Sequence, residues 1–352
     1  MKFHLSPEQE ALQDSIQRTA SRACPPERRR ALLDADTDFD KPIWDALMEV
    51  GLGALLIPEA HGGAGLGLEE AALAFETLGQ TATPGPFMGH VLAGWALAQS
   101  EDEALKSRWL ARLAGGEAVG TVALEGWTPD TWRLEIKDGK LNGQIAMAPG
   151  ADQADVLIIG VPGGLAVVEK GPELAVEPIS GSDLTRRLWR VTLSGAPALL
   201  IPSNALGQRL VDAALVLIAA GALGGADQCL TLSVDYAKQR EQFGVVIGQF
   251  QGLKHQLANM ALEVEPARAL VWYAAYAWDL ALADSSRVAA HAKAHLADRF
   301  VSVARMAVQA HGGIGYTWDY DLQIWFRRSL YDRAFMGAPS LHRARVADMA
   351  GW

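Results

Sequence analysis

Two cysteines in 352 residues, Cys24 and Cys229, are too few for a disulfide framework or a cysteine-ligated metal centre. A reducing, cytoplasmic setting is the expectation that follows. Positive charge is also in deficit, with 31 Lys and Arg against 41 Asp and Glu, a formal charge of −10. Chains that grip phosphate backbones carry the opposite sign, so no nucleic-acid partner is expected. Long apolar runs are missing as well. The longest, "AALVLIAAGALGGA" at 213–226, lies between Asp212 and Asp227 and falls short of the roughly 20 residues that span a bilayer. It reads as a buried helix, and no membrane insertion is expected. The opening "MKFHLSPEQEALQDSIQ" has no signal-peptide texture and reads as a capped helix, with Ser6 at the N-cap, Pro7 at N1 and Gln9 completing a capping box.

What is present divides the chain into three textures, expected as an α+β protein with segments 1–115, 116–204 and 205–352. From Ser6 to about Leu113 the apolar spacing is helical, as at Leu12, Ile16 and Ala20. Short β-like runs follow, "VGTVALE", "WRLEIKDGKLNG", "DVLIIGV", "GLAVVEK" and "LWRVTLSG", with a hairpin signal at "KDGK" 137–140. These predict a β-barrel or sandwich. Past Pro202 the pattern turns helical again, in four stretches near 207–238, 248–283, 285–311 and 320–349, which predict a four-helix bundle.

Most candidate motifs dissolve on inspection. "HGGAGLG" at 61–67 lacks the strand before it and the Lys-Ser/Thr after it that a phosphate loop needs, so it reads as a turn. "HAKAH" sets His291 and His295 one helical turn apart near Asp298, but no Glu lies between them as in a zincin, and no metal is expected. No Ser, Cys or Thr stands in a nucleophile setting.

Two segments remain. "REQFG" at 240–244 brings Arg240, Gln242 and Phe243 to a turn, with Gln251 opening the next helix. "QAHGGIGYT" at 309–317 adds the amide of Gln309 and bare backbone at Gly312 and Gly313. Together they supply a cation, amides, an aromatic face and naked peptide, the parts needed for a pyrophosphate and an adenine.

The order helical, β, helical bundle, with "GLGALLIPEAHGGAGLGLEE", "YAKQREQFGVVIGQFQGLKHQLANM" and "QAHGGIGYTWDYDLQIWFRRSL", resembles the acyl-CoA dehydrogenases over nearly the whole chain. The resemblance implies FAD as cofactor, an acyl-CoA substrate desaturated between Cα and Cβ, and an electron-transfer flavoprotein as acceptor. It also implies that Arg240, Phe243 and Gln251, with Gln309, Gly312 and Gly313, hold the pyrophosphate and adenine half of a flavin bound mainly by a neighbouring subunit.

The chain departs from that family where its chemistry is done. The usual Glu-Gly-Thr, seven residues before an Arg, is here Met336, Gly337 and Ala338 before Arg343. The alternative slot for the base, 21 residues before Tyr236, is Leu215, and the nearest carboxylate, Asp212, is a weak substitute one turn away. Flavin contacts of the β segment are eroded too. Met147 and Pro149 occupy the aromatic and hydroxyl slots, and of Thr-Glu-Pro-Gly-x-Gly-Ser-Asp only Glu125 in "LEGWTPDTW" is clearly kept. What a subunit contributes to its own flavin ring has gone, while what it lends to its neighbour is intact. The resemblance therefore implies the degenerate subunit of an α2β2 heterotetramer with a related dehydrogenase chain, acting on bulky acyl groups such as steroid side chains. An active homotetramer with an unusual base, and a flavin-free scaffold or acyl-CoA-binding protein, are the competing readings.

Overall fold

The computed structural model describes residues 4–35 and 37–352. Six helices open the chain: α1 (Pro7–Ala23), α2 (Pro26–Asp34), α3 (Lys41–Glu49), α4 (Leu68–Gln80), α5 (Phe87–Ala98) and α6 (Glu103–Ala114). The capping box expected at α1 is formed: Gln9 N donates to Ser6 Oγ at 3.2 Å, and Ser6 N donates to Gln9 Oε1 at 3.0 Å. The glycine-rich stretch before α4 is a turn, with Gly62 at φ +82° and Gly65 at φ +62°.

Eight strands follow: β1 (Gly120–Ala123), β2 (Ile136–Lys137), β3 (Lys140–Pro149), β4 (Val156–Val161), β5 (Gly164–Glu169), β6 (Leu174–Ile179), β7 (Leu188–Pro197) and β8 (Leu199–Pro202). They form two sheets, β1-β4-β5-β8 and β2-β3-β7-β6. The "KDGK" hairpin joins β2 to β3 through Asp138 and Gly139, both at positive φ. The run "DVLIIGV" is buried on both faces. Leu157 and Ile159 of β4 belong to the core between the sheets, whereas Val156 and Ile158 belong to the core shared with the helices.

Two strands escaped the sequence reading. β6 alternates partly buried and exposed residues and contains Pro178, which suits an edge strand, and β8 is a short edge strand with Leu199 and Leu200 exposed.

The last segment holds α7 (Asn204–Gln239), a small hairpin of β9 (Glu241–Gln242) and β10 (Val245–Val246), α8 (Gln251–Asp279), α9 (Ser285–His311), α10 (Leu322–Ala334) and α11 (Pro339–Ala350). The stretch expected as one helix over 320–349 is thus two. Met336 at φ +55° and Gly337 at φ +99° break it, and Pro339 starts the next helix.

Among the described residues, α7 is the one helix long and apolar enough to cross a bilayer, and 89% of its apolar window is buried inside the protein. It packs against α4, α8 and α9. Contact with α4 is backbone to backbone: a Cβ on Gly224 would lie 1.8 Å from Glu76 O, and one on Gly79 would lie 2.1 Å from Gly221 O. The N-terminus of α4 is capped from α8, where Asp279 accepts from Leu68 N at 2.7 Å and from Glu69 N at 2.9 Å. These contacts lock the first helices to the bundle and fix the clefts between them.

Candidate functional site

The two segments singled out by sequence lie at one end of the bundle. Tyr236, one turn before Arg240, stacks on His311, which directly precedes Gly312. Gln256 in the second turn of α8 donates to Met306 O of α9 at 2.7 Å, bringing the Gln251 end of that helix alongside. The β9–β10 hairpin folds back on α7, with Ile247 N donating to Arg240 O at 2.8 Å.

Every side chain proposed there faces outward. Arg240 is exposed and makes no ion pair among the described residues, Gln242 donates only to the neighbouring Glu241 O, and exposed Gln251 lies 2.7 Å from His255 Nε2. Phe243 is 92% exposed and stands at φ +55°, followed by Gly244 at φ +77°. A bulky aromatic in the left-handed region is an uncommon and costly conformation. The tight hairpin imposes it, and the result is a largely exposed ring that meets only the edge of Phe250 among the described residues, with centroids 6.1 Å apart.

Gly312, at φ +66°, needs glycine for its backbone, and no atom lies within 4 Å of a Cβ built on it or on Gly313. Gln309 borders an open groove of about 580 Å³ with Arg299, Arg305 and Arg333. Arg299 and Arg333 are paired with Glu263 and Asp298. A phosphate-bearing ligand would meet cations, amides and bare peptide here, so these residues fit an FAD adenosine diphosphate half.

The slots where the sequence departs from its family meet at a second place. Met336, Met147, Pro149 and Glu125 line one cavity of about 160 Å³ together with Trp127 and Ala214. Its walls are apolar, and the one carboxylate, Glu125, is exposed and accepts from Arg133 N at 2.6 Å. Pro149 has no N–H to offer, and its carbonyl is taken by Thr121 Oγ1 at 2.5 Å. Such a wall does not fit the ring end of a flavin, which needs donors.

Leu215 is fully buried in α7 and does not line this cavity; its neighbour Ala214 does. Asp212 is absent from the lining as well. Its carboxylate accepts from Gln208 Nε2 at 2.7 Å and Ser286 Oγ at 2.5 Å, with Arg345 Nη2 3.6 Å away. Burial raises its pKa, against the hydrogen bond from Ser286 and the charge of Arg345.

The loop that would carry the base is held from behind by residues the sequence gave no motif for. Lys293, wholly buried on α9, donates to Asp332 O and, at 3.4 Å, to Gly337 O; burial pulls its pKa down to about 8. His342 Nε2 lies 2.8 Å from Met336 O, and burial pulls its pKa down to about 4. Trp127, in the eroded signature, sets its ring 5.5 Å from that of His342 and closes the cavity over Gly337. Its position inside a damaged motif was the available signal.

Comparison with known proteins decides the family. The N-terminal domain model of the acyl-CoA dehydrogenases matches residues 6–117, and the C-terminal domain model matches residues 209–351. "Acyl-CoA dehydrogenase IpdE2" of Mycolicibacterium smegmatis is 34% identical over 95% of this chain and 96% of its own length. The chain belongs to the acyl-CoA dehydrogenase family. "Acyl-CoA dehydrogenase IpdE2" of Mycobacterium tuberculosis is 32% identical, over 92% of this chain and 91% of its own. Among solved structures, a variant of the "Tcur3481-Tcur3483 steroid ACAD" superposes with a TM-score of 0.91 at 28% identity, covering 98% of both chains. The "ChsE4-ChsE5 complex from Mycobacterium tuberculosis" has a TM-score of 0.89 at 24% identity, covering 100% of this chain and 99% of that one. The acyl-CoA dehydrogenase class is that of FAD-dependent oxidoreductases acting on CH–CH bonds, and FAD is its cofactor.

Proposed function

We propose that this chain is the non-catalytic, flavin-lending subunit of an α2β2 acyl-CoA dehydrogenase. Its Arg240, Gln242, Phe243, Gln251, Gln309, Gly312 and Gly313 hold the pyrophosphate and adenine of an FAD whose ring lies in a related partner chain. That partner supplies the catalytic carboxylate, and an electron-transfer flavoprotein takes the electrons.

The observation that carries this reading is an asymmetry within one chain. The outward set is complete, with Phe243 held in the left-handed region and 92% exposed, while the inward cavity offers Met147, Pro149 and Met336 where a flavin ring and a base would need donors and a carboxylate. The one carboxylate on those walls, Glu125, is exposed and accepts from Arg133 N rather than standing in the slot of the base. A bulky acyl-CoA, with a steroid-derived group as the leading class, is the substrate of the assembly. The two-part name and the word "steroid" in the relative at 28% identity support both points.

The test is flavin content. Purified alone, the chain should be colourless or weakly flavinylated and inactive on acyl-CoAs. Co-purified with its partner it should carry about one FAD per pair of chains, as one lent half-site per flavin requires. One FAD per chain in the isolated protein would overturn the proposal in favour of a homotetramer.

A further inference from the structure

Gln251 is the first residue of α8, and its amide nitrogen lies 2.7 Å from Nε2 of His255, one turn further along the helix. An amide nitrogen has only hydrogens to offer, so the imidazole accepts through Nε2 and carries its own proton on Nδ1. The direction of this one bond decides what Gln251 presents to the outside. With one N–H engaged by His255, the carbonyl oxygen and the second N–H remain free for a ligand.

The surroundings leave that edge open while fixing the backbone beneath it. Gln251 and His255 are both exposed, α8 begins without a side-chain cap, and no atom lies within 4 Å of a Cβ built on Gly252. A planar ring has room to approach. Lys254 N donates to Phe250 O at 3.1 Å, and Gln256, next to His255, donates to Met306 O of α9 at 2.7 Å. His255 therefore stands on an anchored turn, and its ring is the one side-chain partner of the Gln251 amide among the described residues.

A hydrogen bond between exposed side chains one turn apart adds little to the stability of a helix. Its effect on orientation is larger, because an unrestrained amide turns over freely and so exchanges its acceptor for its donors at the same point in space. Adenine tells the two orientations apart. Its edge sets an amino donor beside a ring-nitrogen acceptor, which a carboxamide meets with oxygen on the amino group and N–H on the ring nitrogen. Hypoxanthine has a carbonyl in place of that amino group, so the same amide would set oxygen against oxygen.

On the flavin-lending reading, on which this inference rests, we propose that His255 is a positioning residue that locks the Gln251 amide in the orientation selecting adenine over a 6-oxopurine.

The test uses the complex with the partner chain, stripped of flavin, and compares FAD with flavin hypoxanthine dinucleotide by fluorescence titration. The wild-type complex should bind FAD at least about tenfold more tightly than the analogue, since one hydrogen bond is replaced by a repulsive contact. His255→Ala frees Gln251 to turn and should cut that ratio to about threefold or less at unchanged melting temperature. In a Gln251→Ala background the preference should already be lost, and adding His255→Ala should change nothing further. No preference for FAD in the wild type, a ratio unmoved by His255→Ala, or an equal effect of His255→Ala in the Gln251→Ala background would each overturn the proposal. Arg240→Ala separates this failure from that of the underlying reading, because the pyrophosphate is common to both dinucleotides. If it weakens both alike while His255→Ala leaves the ratio unmoved, only the role of His255 falls; if it weakens neither, the flavin-lending reading falls and this proposal with it.

Discussion

The ring of Tyr236 stacks on that of His311 with centroids 4.5 Å apart and 27° between planes. This contact clamps the end of α7, where Arg240 begins the hairpin, to the end of α9, where Gly312 bares its backbone. Neither ring needs to touch a flavin for the stack to set the spacing of the groups proposed to hold it. Tyr236→Leu should therefore lower stability by about 1 kcal/mol, the worth of an aromatic pair. It should also loosen FAD in the complex a few-fold, since positioning is lost but no contact is. Flavin-fluorescence titration of the complex measures the second effect; an unchanged affinity would show that the clamp does not position the site.

Arg240 is the sharper probe, because it has no ion pair of its own among the described residues and its removal leaves nothing in the chain uncompensated. Charge-assisted bonds from a guanidinium to a pyrophosphate are worth roughly 1.5–3 kcal/mol. Arg240→Ala should weaken FAD in the complex by about ten- to a hundredfold at unchanged melting temperature, and Arg240→Lys should restore only part of it, keeping the charge without the fork. Equal affinity in the alanine variant would remove this hairpin from the flavin site.

Acid stability should depend on His90. Its ring lies wholly buried, with Nε2 2.9 Å from Leu113 O and Nδ1 accepting from Gly120 N at 3.1 Å, which joins α5 to the end of α6 and the start of β1. Burial lowers its pKa from 6.5 to about 4, outweighing the bond to Leu113 O. Between those values the unfolded chain takes up a proton that the folded chain refuses. Stability is therefore fully present above pH 6.5 and falls as the pH drops toward 4, by up to about 1.4 kcal/mol per pH unit and roughly 3 kcal/mol in all. His90→Gln can keep both hydrogen bonds without titrating. Urea denaturation across this range should show a flatter profile for the variant, and parallel profiles would assign the acid sensitivity elsewhere.

The fold and the two turns of the proposed site were legible in the sequence for the same reason: both are carried by local pattern. Periodicity marked α9 at its true limits of 285–311, and "REQFG" and "QAHGGIGYT" each sit on a single turn. β6 was lost because an exposed edge strand needs no continuous apolar run, and the break between α10 and α11 was lost because Met336 takes a conformation that methionine rarely adopts. The inner polar residues were illegible for a different reason. Asp38, Arg186, Lys293, Arg328 and His342 sit on the α2–α3 loop, the β6–β7 loop, α9, α10 and α11 and share no motif, so only tertiary packing brings these elements together.

Met336 separates the enzyme readings most directly. If the cavity lacked only its carboxylate, Met336→Glu should create dehydrogenase activity in the isolated chain. No such gain is expected. A base gains nothing without a thioester and a flavin ring held against it, and Pro149 and Met147 stand in this cavity without a side-chain donor, Pro149 lacking a backbone N–H as well. Positioning is demanding as well, since a misplacement near 1 Å costs around a hundredfold even with every group present. Placed on these apolar walls, the new carboxyl should stay protonated and lower stability by a few kcal/mol. Asp212→Asn in the wild-type complex is the companion measurement. Asp212 is engaged by Gln208, Ser286 and Arg345 rather than aimed at the cavity, so turnover should change little while stability drops by about 1–3 kcal/mol. A large loss of turnover from Asp212→Asn, or a gain from Met336→Glu, would put the chemistry in this chain; neither effect would place it in the partner.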